Sequence, residues 1–144
     1  MSAALDRLKS LTSKISSYER VRKENMKFLE ELFYEIKIDK KVENFNDIFE
    51  YKALNLSGAS LQSDNLGEIR PGKYLQILAI AYDKEAVIKS KNISLGYFGK
   101  VENVNPRFKD KIVEFIIRYR FEKSFMTLEH YNSMLSIYKK EPDE

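Results

Sequence analysis

The residues that could perform acid–base chemistry in this sequence are few, and the first to consider is the single histidine, His130. An imidazole that acts as a general base needs a nucleophile or substrate within hydrogen-bond reach, and usually a third group that orients it. Glu129 is its neighbour in sequence, but adjacent residues on a helix do not face each other. The sequence therefore gives His130 no catalytic partner, and we do not expect it to be catalytic.

Metal and thiol chemistry lack the residues they require. The chain has no cysteine and only one histidine, which excludes disulfides, cysteine-ligated zinc, iron–sulfur clusters and a multi-histidine metal site within one chain. No Asp-x-Asp cluster or EF-hand loop is present, and Glu30, Glu31 and Glu35 have the spacing of a solvated helix face. We predict no cofactor, no metal site and no enzymatic activity; the alternative is an enzyme of an unfamiliar type, since the absence of known motifs does not exclude one.

The segment closest to a phosphate-binding loop is Gly96-Tyr97-Phe98-Gly99-Lys100. A phosphate cradle needs open backbone, and here two bulky aromatic residues fill that space. The Walker A, Gly-x-Ser-x-Gly and Gly-x-Gly-x-x-Gly motifs are absent from the sequence. We interpret the two glycines as marks of a bulged strand.

Basic residues offer a candidate for nucleic-acid binding. The net charge is only +3, but residues 73–144 hold 13 basic and 10 acidic residues, whereas residues 42–72 hold 2 and 5. A sheet face with arginines and exposed aromatic rings can bind phosphates and stack on bases. The alternative is a solvated face on which Glu114 and Glu122 neutralise the arginines. The candidate phosphate-binding residues are Arg107, Lys109, Lys111, Arg118 and Arg120.

Residues 3–37 contain an apolar heptad repeat without glycine or proline, which predicts a long, coiled-coil-like N-terminal helix. We interpret residues 1–41 as an oligomerisation element in which Arg22 and Asn25 set the register. The alternative is that the helix packs within its own chain and the repeat is ordinary amphipathicity. The predicted oligomer interface consists of Leu8, Leu11, Ile15, Tyr18, Arg22, Asn25, Leu29 and Leu32.

Residues 42–144 are predicted to form an α+β domain, a small antiparallel meander covered by a C-terminal helix. The stretch 44–56 is ambiguous between a short helix and a strand, the Gly- and Ser-rich residues 57–72 form an uncommonly long loop, and Arg70 to Lys73 form a turn. Residues 85–90 are a weaker strand or a helical turn. The predicted strands are 74–82, central and covered on both faces, 93–101, and 112–122 with alternating apolar residues.

The closing helix of this domain is predicted to begin at Thr127 as its cap. Its buried face is predicted to be formed by Leu128, Tyr131, Leu135 and Tyr138. Pro142 and the acidic residues that follow are expected to end it.

These features favour a non-enzymatic interaction or scaffold protein. It self-associates through its N-terminal helix, with a dimer favoured, and presents the α+β domain to a macromolecular partner. The alternative is a nucleic-acid-binding accessory subunit that uses a basic sheet face. The residues from Met1 to Arg7 do not resemble the start of a signal peptide, and the longest uncharged apolar stretch, 74–82, is too short to span a bilayer. We therefore expect an intracellular, cytoplasmic protein without membrane association.

Overall fold

A three-stranded antiparallel sheet forms the centre of the fold, with its strands in chain order. The computed structural model describes the backbone of residues 2–82 and 90–138; the side chains of residues 2, 8–17 and 90 are outside that description. Strand β1 is Ala53–Ser57, β2 is Tyr74–Tyr82 and β3 is Ser90–Lys100. The α+β class, the meander and the central position of β2 are confirmed.

The two faces of the sheet differ, and here the prediction that β2 is covered on both faces was wrong. Leu75, Ile77 and Ala79 are buried on one face, whereas Gln76 and Leu78 on the other are only partly buried. Successive residues of a strand point to opposite faces of the sheet, so this alternation shows that the described helices pack against only one face. We call the opposite side the outer face of the sheet.

Strand β3 is bulged, as the glycines predicted. Two register shifts occur in its pairing with β2, one between Tyr97 and Lys100 and one between Ser94 and Gly96. A Cβ atom on Gly96 would lie 2.6 Å from the ring of Phe98, so a larger residue here would force that ring to move.

The stretch 44–56 contains both of its predicted alternatives in succession, a 3₁₀ helix at Phe45–Glu50 followed by β1. The long loop that follows is ordered by its own hydrogen bonds, including one from the Ser60 hydroxyl to the Asn65 side chain at 2.5 Å. The predicted turn is confirmed: the Lys73 amide donates to the Arg70 carbonyl at 3.1 Å, and Gly72 has the positive φ of +85° that a type II turn needs. Residues 85–89 of the predicted weak element lie outside the described residues.

The largest correction concerns residues 112–122, which are helical rather than a strand. They belong to helix α2, Pro106–Tyr138, which also contains the predicted closing helix. Asn105 caps α2, since its Oδ1 accepts a hydrogen bond from the Arg107 amide at 2.8 Å, and Pro106 occupies the first helical position, which proline favours. Thr127 is not a cap; its hydroxyl donates to the Lys123 carbonyl at 2.9 Å within the helix.

The apolar residues of this segment fit both periods, which explains the wrong prediction. So many residues of the segment are apolar that an alternating set can be drawn, but the apolar side chains that are at most 1% exposed follow the helical spacing i, i+3, i+4 and i+7. These are Ile112, Phe115, Ile116 and Tyr119, and the buried Val113 lies beside them. Residues 107–138 contain neither glycine nor proline, and an uninterrupted stretch of this length is too long for a strand. This length was the feature of the sequence that indicated a helix.

Helix α1 is Ser2–Glu35, and its C-terminal part belongs to the core of the domain. Leu29, Phe33 and Ile36 are at most 1% exposed and share one apolar cluster with the inner face of the sheet and with α2. The chain leaves the helix at Lys37, whose φ is +66°. The core therefore continues across the predicted division at residue 41.

Candidate interaction surfaces

Helices α1 and α2, which are separated in sequence by the sheet, pack side by side in antiparallel directions. We call this pair of helices the helical hairpin. Near the sheet, the Lys111 ammonium lies 2.9 Å from the Glu35 carboxylate; further out, Arg22 contacts Glu122 at 2.7 Å. The contact partner on α2 has a lower residue number when the residue on α1 has a higher one, so the two helices run in opposite directions. The predicted oligomerisation helix thus has a partner within its own chain.

Arg22 is the main polar contact between the two helices. Its guanidinium donates to both carboxylate oxygens of Glu122, at 2.7 and 3.2 Å, and to Glu129 at 3.2 Å. These hydrogen bonds, first to Glu122 and then to Glu129, raise the pKa of Arg22. The guanidinium also lies 4.9 Å from the ring centre of Phe125. Since the Glu122 side chain is only 8% exposed, the pair is a specific constraint on how the helices meet.

Asn25 supplies a second constraint on the register of the hairpin. Its side chain is buried, its Nδ2 donates to the Arg118 carbonyl at 2.9 Å, and its Oδ1 accepts from the Arg118 guanidinium at 3.0 Å. A buried amide satisfied at one relative position disfavours sliding of the helices. The register-setting role predicted for Asn25 is therefore exercised within the chain.

The remaining members of the predicted oligomer interface are buried in the core, contact α2 or lie outside the described side chains. Leu29 and Leu32 are buried in the core, and Tyr18 is 56% exposed with its ring 6.0 Å from that of Phe125. An intermolecular coiled coil through these residues is not supported, because the chain's own α2 and core occupy the face that a second copy would need. The side chains of Leu8, Leu11 and Ile15 lie outside the described residues.

The prediction of a basic sheet face is also wrong, because its five residues lie on helix α2 and not on a sheet. Residues two apart on a helix point in nearly opposite directions, so Lys109 lies on the other side of α2 from Arg107 and Lys111. Arg118 and Arg120 are likewise two residues apart. The five side chains therefore do not form one phosphate-binding surface.

Four of the five basic side chains have partners within the chain. Lys109 donates to the Gly67 carbonyl at 2.8 Å, which ties α2 to the long loop, and Lys111 pairs with Glu35. Arg118 forms an ion pair with Glu114, while Arg120 donates to the Leu54 carbonyl at 3.3 Å. Neutralisation of Arg118 by Glu114 agrees with the salt-bridged alternative, although the two residues are one helical turn apart and not on paired strands.

A solvent-open apolar groove runs between the two helices beside these polar contacts. Its volume is about 380 Å³, and its apolar walls come from both helices. Val21 and Phe28 on α1, and Ile117 and Phe121 on α2, are each 37–41% exposed. The Arg118 guanidinium lies 4.8 Å from the ring centre of Phe28 at the edge of the groove. The groove is too open to enclose a small molecule, and an open apolar groove between two helices can accept side chains of another helix.

The groove continues along α2 as a row of exposed apolar side chains. From residue 117 to residue 138 the row has alternating steps of four and three residues if Ser124 is counted, which is the spacing of a heptad repeat. The row is about 32 Å long. The members that lie beyond the groove are 58–85% exposed, although the sequence predicted them to be buried. We call this row the apolar stripe: Ile117, Phe121, Leu128, Tyr131, Leu135 and Tyr138.

The C-terminal part of α2 is nearly free of charge. Residues 124–138 include eight apolar or aromatic residues and one charged residue, Glu129, which is engaged by Arg22. Solvent-facing helix surfaces normally carry many charged residues. An exposed, apolar and uncharged helix is instead typical of a surface that another molecule covers.

The described residues form no cluster suited to holding a metal ion. They contain no group of three or more histidine, cysteine, aspartate or glutamate residues that could hold a metal ion. His130 is exposed on α2, with its ring 5.6 Å from that of Tyr131. Within the part of the chain that the structure describes, no helix combines the length and apolarity required to cross a membrane.

Comparison with known proteins assigns no family to this fold. No family model matches the chain, and searches of curated proteins and of solved structures found no similar protein.

Proposed function

We propose that this chain is a non-enzymatic interaction protein that self-associates through its helical hairpin and presents its α+β domain to a macromolecular partner. The observation that carries the proposal is the apolar stripe on α2. We assign self-association to this stripe instead of to the predicted oligomer interface on α1, because the residues of that interface from Arg22 onward are engaged within the chain.

The spacing of the stripe favours an α-helix as its partner. Alternating steps of four and three residues keep apolar side chains on one line only when two helices wind around each other. Together with the groove beside Val21 and Phe28, the stripe offers a surface about 32 Å long.

The charge distribution favours a second copy of the same chain as the occupant. Two copies of residues 124–138 can approach closely because their one carboxylate, Glu129, points to Arg22 and leaves no like charges to repel. A two-fold axis would place the same stripe against itself, as most homodimers do. Four helices, two from each copy, would then surround a shared apolar centre.

Light scattering coupled to size-exclusion chromatography tests this proposal. The intact chain is expected to elute as a dimer at micromolar concentration. The double substitution Leu128→Glu with Leu135→Glu places two carboxylates in the stripe, where burial without partners is costly, and is expected to give a monomer with unchanged helix content by circular dichroism.

Ile137→Glu is the matched control. Ile137 is 70% exposed on the same part of α2 but lies well around the helix from the stripe, so this variant is expected to remain dimeric. A monomeric intact chain at all accessible concentrations would overturn the proposal. Equal weakening by the control and by the stripe variant would also contradict it.

A further inference from the structure

The outer face of the sheet is a second exposed surface, independent of the helical hairpin. It carries a pair of neighbouring aromatic rings, Tyr74 on β2 and Tyr97 on β3, whose centres are 5.7 Å apart and which are 48% and 60% exposed. A third exposed ring, Tyr82, follows at the far end of β2 and is 67% exposed. Because successive rings of a sheet face are held rigidly by the strands, such an array suits stacking on flat ligands.

The charge of this sheet has one sign. The strands 53–57, 74–82 and 90–100 contain no aspartate or glutamate. Exposed lysines lie at both ends of β2: Lys73 precedes Tyr74, Lys100 is its register partner, and the Lys52 ammonium is 5.9 Å from the ring of Tyr82. The nearby Glu102 accepts hydrogen bonds from the Gly72 amide at 3.1 Å, which directs this carboxylate to the turn. At the far end of β2, Tyr82 borders a cavity that is also lined by Glu43, Asp47 and Glu50. The end of the outer face that carries Tyr74 is therefore the end complementary to an anionic chain.

The centre of the face is uncharged and carries polar residues beside the partly buried Leu78 and Ile80 of β2. The Gln76 side chain donates to the Ser94 hydroxyl at 2.9 Å, and Asn92 is exposed on β3. Asn55 is exposed on β1, where its Oδ1 accepts a hydrogen bond from Arg120 at 3.3 Å. Uncharged amides and hydroxyls can pair with base edges and with a ribose 2′-hydroxyl, which is both a donor and an acceptor.

From these observations we infer that the outer face binds single-stranded RNA. Tyr74 and Tyr97 stack on neighbouring bases, Lys73 and Lys100 contact phosphates, and the uncharged polar residues of the face lie along the sugars. This surface differs from the basic residues of α2 that the sequence indicated. It does not depend on self-association of the hairpin.

Fluorescence anisotropy with a labelled oligouridine of about a dozen nucleotides at low salt tests the inference. The intact chain is expected to bind, and the Tyr74→Ala, Tyr97→Ala double variant to bind at least about tenfold more weakly, because each lost stacking contact removes a substantial share of affinity. Phenylalanine at both positions keeps the ring and is expected to restore binding to within about twofold. Tyr34→Ala, at an exposed tyrosine on α1, is the control and should leave binding unchanged.

Salt dependence tests the role of the lysines separately. Replacing Lys73 and Lys100 with alanine is expected to reduce the slope of log affinity against log salt by about 1.4, because each phosphate contact on a single strand contributes about 0.7. An unchanged slope would contradict these phosphate contacts.

Three results would overturn the inference. The first is absence of binding by the intact chain at low salt, and the second is equal binding by the intact chain and the double alanine variant. The third is equal affinity for the oligothymidine DNA of the same length, which would remove the assignment to RNA. Ultraviolet crosslinking followed by mass spectrometry is expected to place the crosslinked peptides on β2 and β3; crosslinks confined to α2 would contradict the outer face as the site.

Discussion

The two halves of α2 are covalently continuous but have opposite surfaces. Residues 106–123 pack on the sheet and on α1, and nine of these 18 residues are charged. Residues 124–138 are almost entirely exposed, yet only one of these 15 residues is charged. The half that is mostly covered within the chain thus carries the charges, and the half that is exposed lacks them.

This contrast supports the proposed interaction surface on the second half of α2. In residues 106–123 most apolar side chains fill the core and most charged side chains face solvent or have partners within the chain, although Ile117 and Phe121 line the groove and are exposed. In residues 124–138 only Phe125 among the apolar side chains is partly covered, by α1, and the others are exposed. Burial within one copy therefore explains the composition of the first half, and the proposed intermolecular contact would explain that of the second.

Phe115→Ala is expected to have the largest effect on stability. Phe115 is fully buried in the first half of α2, so its truncation leaves a cavity and should lower the free energy of unfolding by about 3–5 kcal/mol. Urea denaturation followed by circular dichroism measures this. A loss below about 1 kcal/mol would contradict the assignment of this half to the core.

Glu122→Gln and Glu129→Gln compare one carboxylate from each half against the same partner, Arg22. The Glu122 side chain is 8% exposed and binds the guanidinium through both oxygens, so its neutralisation should cost about 1–3 kcal/mol. Glu129 is 65% exposed and should cost less than about 0.5 kcal/mol. Equal costs in urea denaturation would show that the two halves of the hairpin are equally packed.

Tyr119→Phe is expected to have a small effect at neutral pH and a larger one at alkaline pH. The hydroxyl donates to the Tyr51 carbonyl across a long 3.4 Å, so its loss should cost less than about 1 kcal/mol. Burial, and secondarily the charge of Tyr51, raises the pKa of Tyr119. Above about pH 10 the unfolded chain ionises this tyrosine while the folded chain does not, so stability falls with rising pH.

The phenylalanine variant should lack this contribution to the alkaline loss. Burial lowers the pKa of Lys123, which acts in the opposite direction, since stability then rises with pH up to the unfolded-state pKa of lysine. Because both proteins contain Lys123, the difference between their denaturation free energies at about pH 9 and about pH 11 isolates Tyr119. A difference independent of pH would contradict the burial of its hydroxyl.

Leu128→Ala is expected to have the smallest effect on the isolated chain. Leu128 is 64% exposed in the second half of α2, so the free energy of unfolding of dilute monomer should change by less than about 0.5 kcal/mol. The same change should weaken self-association measured by analytical ultracentrifugation. A large destabilisation of the monomer would show instead that this half is covered within the chain.

The sequence predicted those elements in which one period was clear and turn residues marked the ends. Strand β2 was predicted with its observed bounds, because the apolar run 74–82 follows the Pro71-Gly72 turn. Residues 112–122 were assigned wrongly because their dense apolar residues satisfy the periods of both a strand and a helix. Of the candidate surfaces, the sequence indicated four residues of the apolar stripe, Leu128, Tyr131, Leu135 and Tyr138, but predicted them to be buried, and it did not indicate the outer face.

The amino-acid sequence by itself determined that this is an α+β chain with a helical start, a bulged glycine strand and no thiol or multi-histidine chemistry. Those properties depend only on which residues are present and on how they are spaced over short stretches of the chain. Only the tertiary structure decided that Arg22 and Asn25 bind α2, that Arg118 pairs with Glu114, and that Tyr74 lies beside Tyr97. A heptad shows that a helix will bury one side, but it does not specify the partner, since the same apolar face is satisfied by another segment of the chain or by a second copy.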